Sequence, residues 1–144
     1  MARRHSAESS EEFNTLMKKW IAIEKATITL SGRLLEKVEN PIISCIIDTI
    51  KRDSQKHREV LELILECLDG TMTFTHEDMS VVTEFVHKHT GIEQEAVDIA
   101  ALTLKKVRTP FVKFLLEYLY EDEKKHDLIM SNLAKLKATA MTPS

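Results

Sequence analysis

Residues 41–61 read PIISCIIDTIKRDSQKHREVL, and residues 110–130 read PFVKFLLEYLYEDEKKHDLIM. Laid over one another at an offset of 69, they share an opening proline (Pro41, Pro110), an acid (Asp53, Asp122) and a histidine (His57, His126). The same offset carries Glu24 onto Glu93 and Val38 onto Val107 upstream. One register that holds through a helix-start proline, two acids and a histidine marks an internal duplication. The chain is therefore two halves written to one plan.

Turn signals divide each half into two helices. Asn40-Pro41 and Thr109-Pro110 each end one pattern and open another, because proline suits a first helical turn and not a helix interior. Ser9 with Glu12 and Thr75 with Asp78 have the spacing of a helix-start capping box, and Asp69-Gly70 closes the second pattern. The spacing predicts helix 1 at 9–38, helix 2 at 41–68, helix 3 at about 77–107 and helix 4 at 110–137. Residues 1–8 and 138–144 are expected to be flexible ends around one domain at 9–137.

Each helix carries a seam that steps by four and three, the face a helix buries in a bundle. Helix 1 reads Phe13, Met17, Trp20, Glu24, Thr27, Ser31, Leu34, Val38, and helix 2 reads Ile43, Ile47, Ile50, Ser54, His57, Leu61, Ile64, Leu68. Helix 3 reads Val82, Val86, His89, Glu93, Ala96, Ala100, Thr103, Val107, and helix 4 reads Val112, Leu116, Leu119, Glu123, His126, Met130, Leu133, Lys137. Every seam is apolar toward its ends and polar in its middle. Glu24, His57, Glu93, Glu123 and His126 are thus expected on one core layer. Buried carboxylates must protonate or find a cation. No Lys or Arg stands in the middle of any seam, so a divalent metal is the expected counter-charge. Mixed oxygen and imidazole donors suit iron, manganese or zinc.

A Glu from each of two helices plus Glu-x-x-His from each of the other two is the dimetal pattern of ferritin-like bundles. On Glu24, His57, Glu93, Glu123 and His126 the chain resembles the ferritin-like superfamily, nearest its rubrerythrin-type diiron-carboxylate domains, over about residues 9–137. The resemblance implies an all-α, antiparallel four-helix bundle. It implies that Glu24 and Glu93 are terminal ligands, that Glu123 bridges two metals, and that His57 and His126 bind one each. It also implies that Asp53 and Asp122 orient the ligand histidines, and that a crossover joins helices 2 and 3, with residues 77–90 in it and a break at Gly91. The alternative topology is up-down-up-down.

The departure from that pattern is Ser54, where the first half should offer its bridging Glu. Three carboxylates then remain for the four charges of two divalent ions. Hydroxide or Asp53 supplies the fourth negative charge, or one metal binds, or the site is degenerate. His89, one turn before Glu93, is a substitute ligand or a hydrogen-bonded core histidine. Trp20 is read as packing, and Tyr120 as an electron-transfer residue or a semi-exposed bundle tyrosine. Thr27, Ser31, Ala96 and Ala100 leave room for dioxygen or let helices 1 and 3 approach closely. His5, His76 and His87 fall outside the seams, as surface residues would.

Composition bounds the partners. Twenty Lys+Arg against 23 Asp+Glu give a net charge of −3, too neutral to point to nucleic acid or an anionic membrane. No apolar run approaches the roughly 20 residues of a membrane span, and the polar N-terminus lacks a signal peptide's apolar stretch. Cys45 and Cys67 lie on one predicted helix, roughly 33 Å apart at 1.5 Å per residue, and two unpaired thiols suit a reducing cytoplasm. The expectation is a cytoplasmic homo-oligomer (a dimer or larger) holding one or two iron ions. Its metals would oxidise iron or detoxify peroxide, with electrons from an external donor, since no Cys-x-x-Cys redox module is present. The alternatives are metal storage without turnover and a structural bundle whose site has decayed.

Overall fold

The computed structural model describes residues 11–68, 70 and 73–140, with side chains through residue 136. It is all-α: four helices, α1 (Glu11–Leu35), α2 (Pro41–Leu68), α3 (His76–Leu104) and α4 (Pro110–Ala140). They form two compact units that divide at Thr73–Phe74; α1 packs on α2 in the first and α3 on α4 in the second.

The helix ends repeat as the sequence does. α2 and α4 both begin on their prolines, and Ser44 and Lys113 donate their N–H groups to the carbonyls of Asn40 and Thr109 (2.9 Å each). The Asn40 side chain caps α2 by accepting from the N–H groups of Ile42 (2.9 Å) and Ile43 (3.2 Å). α1 and α3 stop at the equivalent Leu35 and Leu104. Each is followed by the same closing turn, Lys37 N–H to Leu34 O and Lys106 N–H to Thr103 O (3.0 Å each). The predicted ends at 38 and 107 were three residues too long, because seam periodicity continues past the last helical turn. At the other end α4 runs to Ala140, past the expected end at 137.

Thr75 and Asp78 form the expected capping box. The Thr75 N–H donates to Asp78 Oδ2 (2.8 Å) and the Asp78 N–H to Thr75 Oγ1 (3.1 Å). Gly70 has φ +74°, a backbone conformation that favours glycine over other residues at a helix end. The Ser9 box, Asp69 and His5 lie outside the described residues. α3 passes through Gly91 unbroken, so residues 77–90 are helix and not the crossover that the resemblance implies.

The buried side chains lie on the predicted seams: Met17, Glu24 and Ser31 of α1, Ser54 and Leu61 of α2, Ala100 of α3 and Met130 of α4. Under the 69-residue offset Ser31 meets Ala100 and Leu61 meets Met130, so both units bury these two places, while Val86, Glu93 and Glu123, the equivalents of buried Met17, Glu24 and Ser54, are half-buried. Seven seam positions expected to be core are exposed instead: Trp20, Leu34, Ile43, Ile50, His57, Val112 and Leu119. A helix in a two-helix unit has one neighbour and buries only part of a bundle-wide stripe. A second apolar row flanks the seams of α1 and α3, in steps of seven: Leu16, Ile23 and Leu30 on α1, and Phe85, Ile92 and Ile99 on α3, all exposed. These rows also match at the offset of 69. No helix among the described residues is long and apolar enough to cross a membrane.

Candidate metal centre

Glu93 comes from the middle of α3, and Glu123 and His126 from one turn of α4. An i, i+3 spacing puts Glu123 and His126 on one side of α4, where the seam turns them toward Glu93. His126 Nδ1 lies 3.6 Å from Glu93 Oε2 and 3.7 Å from Glu123 Oε2. One donor atom from each of the three residues falls within 4.8 Å of the others, and all three side chains are half-buried. These separations exceed the 2.7–3.2 Å typical of a hydrogen bond. They suit donors sharing one ion, since metal–ligand bonds of about 2.1 Å in tetrahedral geometry put neighbouring donors about 3.4 Å apart. Two carboxylates and one imidazole are also the donor chemistry of iron, manganese or zinc. The residues fit such an ion.

The first unit repeats the pair and not the triad. His57 Nδ1 lies 3.5 Å from Glu24 Oε1. Ser54 takes the place of the second carboxylate and is buried beside them. Trp20 Nε1–H donates to Glu24 Oε1 (3.2 Å). Burial alone would raise the Glu24 pKa. The Ser54 hydroxyl, the Trp20 N–H and His57 outweigh it, so the carboxyl titrates below its ordinary value. Glu24 Oε2 is buried without a hydrogen-bond partner. The donor roles of Trp20 and Ser54 were not anticipated, although the four-residue spacing from Trp20 to Glu24 was a signal for the first.

Thus Glu93, Glu123 and His126 come together in one unit, and Glu24 and His57 in the other. His89 stays apart from the triad: its ring stacks on Phe85 (centroids 4.3 Å apart) and its Nδ1 lies 2.9 Å from Phe85 O. Neither aspartate orients a histidine. Asp122 pairs with Lys125 (3.2 Å), which sits one turn further along the solvent side of α4, and no hydrogen bond joins the half-buried Asp53 to His57 among the described residues. The Lys124 ammonium lies over the Tyr120 ring, 4.5 Å from its centroid, the setting of a semi-exposed tyrosine. Cys45 and Cys67 are free and exposed. Compared with protein-family models, curated proteins and solved structures, the chain matches none.

Proposed function

We propose that this chain binds a transition-metal ion through Glu93, Glu123 and His126, with iron as its working metal. The observation that carries the reading is the spacing around His126 Nδ1, with two carboxylate oxygens at 3.6 and 3.7 Å. At those distances neither contact is a hydrogen bond. The two carboxylates repel each other, so an ion between them would remove the repulsion and hold the imidazole in place. Bound iron would supply one-electron redox chemistry toward dioxygen or peroxide. The protein's part would be to present two carboxylates and one imidazole nitrogen together, the groups an ion binds in their deprotonated forms. The ferritin-like, rubrerythrin-type resemblance supports iron oxidation or peroxide removal as the use of that chemistry. The two free cysteines suit a reducing cytoplasm, and an external donor would return the electrons.

The test is metal analysis of protein purified without oxygen, with an absorption spectrum after oxygen exposure. Stoichiometric iron that is absent from Glu123→Ala and His126→Ala, with new absorption when oxygen is admitted, is the expected result. Wild type holding no more metal than those variants would remove the reading. A second reading, favoured by Ser54 in place of a carboxylate, is a structural helical protein whose metal site has decayed. It predicts that last outcome.

A further inference from the structure

We propose that the turn joining α3 to α4 binds the surface of an anionic lipid membrane, without spanning it.

The near-neutral charge of the whole chain, which gives no sign of such a partner, conceals a local one. Four of the 20 basic residues, Lys105, Lys106, Arg108 and Lys113, fall at positions 105–113, which hold no acid. All four are exposed, and among the described residues none of them pairs with an acid. Around them stand three exposed apolar side chains, Leu102 (58%), Phe111 (66%) and Phe114 (51%). Leu102 and Phe114 each lie two residues beyond a seam position, Ala100 and Val112, and so about 160° away from it around the helix. Phe111 is one turn before Phe114, on the same side of α4. The packing of α3 on α4 therefore leaves this apolar group uncovered.

The first half shows that the fold does not require these residues. Its equivalent turn closes with the same hydrogen bond, Lys37 N–H to Leu34 O at 3.0 Å, as Lys106 N–H to Thr103 O. Where the second half has its four cations, the first has Glu36, Lys37, Glu39 and Ser44. Where the second half has Leu102, Phe111 and Phe114, the first has Arg33, Ile42 and Cys45. The two turns share a backbone and differ in what they show to solvent. Helix stability does not account for the difference either. Lys113 stands in the first turn of α4, where the helix dipole favours acids over cations, and that turn has no acid.

Cations beside Phe and Leu suit an anionic bilayer surface, which pairs the charges with its headgroups and takes the apolar side chains into the acyl boundary. Four cations at such a surface strengthen binding by roughly a thousandfold. The patch is confined to one turn and the helix ends beside it, too short to track a nucleic-acid strand as a single-strand groove does.

Sedimentation of the full-length protein with vesicles of mixed phosphatidylcholine and phosphatidylserine, and with phosphatidylcholine alone, tests this. Binding to the mixed vesicles should be at least tenfold tighter. Lys105→Glu with Arg108→Glu places there the residue type that the first half carries at Glu36 and Glu39. This variant should keep the helical circular dichroism of wild type and bind the mixed vesicles at least tenfold more weakly. Phe111→Ser with Phe114→Ser should weaken binding to a similar degree. Arg33→Glu with Lys37→Glu, which changes the total charge equally at the other turn, should bind as wild type does. Wild type that stays in the supernatant with both kinds of vesicle would overturn the proposal. Equal binding to both kinds would overturn the role of the four cations, and equal loss in the two charge-reversed variants would assign binding to total charge instead. Retention of a single-stranded RNA by wild type and not by the Lys105/Arg108 variant, with no vesicle binding, would replace the membrane by nucleic acid.

Discussion

His126 Nδ1 stands 3.6 Å from the Glu93 carboxylate across α3 and α4, and its counterpart His57 stands 3.5 Å from Glu24 across α1 and α2. The duplication seen in the sequence is therefore also a duplication of geometry. What separates the two units is the third group, Glu123 in one and Ser54 in the other.

That third group should govern the balance between apo stability and metal binding. Glu123→Gln removes one of two neighbouring carboxylates while keeping its shape. Without metal, the variant should be as stable as wild type or more stable, because a like-charge repulsion is gone. Added Mn(II) at a hundred times its dissociation constant should stabilise wild type by about 2.7 kcal/mol and the variant hardly at all. Thermal melts with and without the ion would show it, and equal metal-induced shifts would count against Glu123 as a ligand.

Ser54→Glu is the converse experiment. It gives the α1–α2 unit the same Glu, Glu and His set, next to a Glu24 Oε2 that is buried and unpartnered. The apo variant should lose a few kcal/mol at neutral pH, since a second carboxylate is placed in a buried setting. Metal analysis should find about one more ion per chain than in wild type, and metal should restore the lost stability. An unchanged ion count would mean that the carboxylate deficit is not what limits this unit.

Trp20→Phe probes how Glu24 keeps its charge. The ring still packs, but Glu24 Oε1 loses its indole donor, which should cost about 1 kcal/mol at pH 7. Because the Glu24 pKa is lowered in the native protein, its contribution is complete above the ordinary carboxylate range and is lost as pH falls through the native value. The gap between wild type and Trp20→Phe should therefore narrow on acidification. Urea unfolding at pH 7 and in acid measures it, and a gap that does not change with pH would assign Trp20 to packing alone.

Thr75→Ala should fray the start of α3 and cost about 1 kcal/mol, the usual loss for an N-cap hydroxyl. Asp78 titrates below its ordinary value, chiefly because it accepts the Thr75 backbone N–H, with the Thr75 hydroxyl adding to this. Acid should loosen the same turn as Asp78 protonates. Amide exchange at residues 76–79 in the two proteins reads the effect, and identical protection in both would show that the capping box is idle.

Much of this was legible in the sequence because it depends on periodicity. The starts at Pro41 and Pro110, the Thr75 box and the buried positions from Met17 to Met130 all follow from local stereochemistry and a regular seam. Residues whose partners the period does not name were harder to read. Trp20 shares a seam with Glu24, yet spacing alone could not distinguish a packed ring from a hydrogen-bond donor. His89 stands in the seam but turns to Phe85, since a ring nitrogen and a carbonyl one turn back satisfy each other locally. Asp122 sits beside Glu123, but pairs with Lys125 on its own helix. The break expected at Gly91 failed because a single exposed glycine weakens a helix without ending it.

The turns at 36–40 and 105–109 also bear on how the chain can change. His57 follows Glu24 by 33 positions, and His126 follows Glu93 by the same number. One residue inserted inside a helix, between its ligand and the turn, would rotate everything beyond it by about 100° and carry a carboxylate or histidine off the shared face. A residue inserted in the turn itself can be absorbed by the loop, provided that Asn40 still caps α2. The helical runs from Glu24 to Leu35, Pro41 to His57, Glu93 to Leu104 and Pro110 to His126 are therefore fixed in length, and indels in them should be removed by selection as strictly as loss of a ligand.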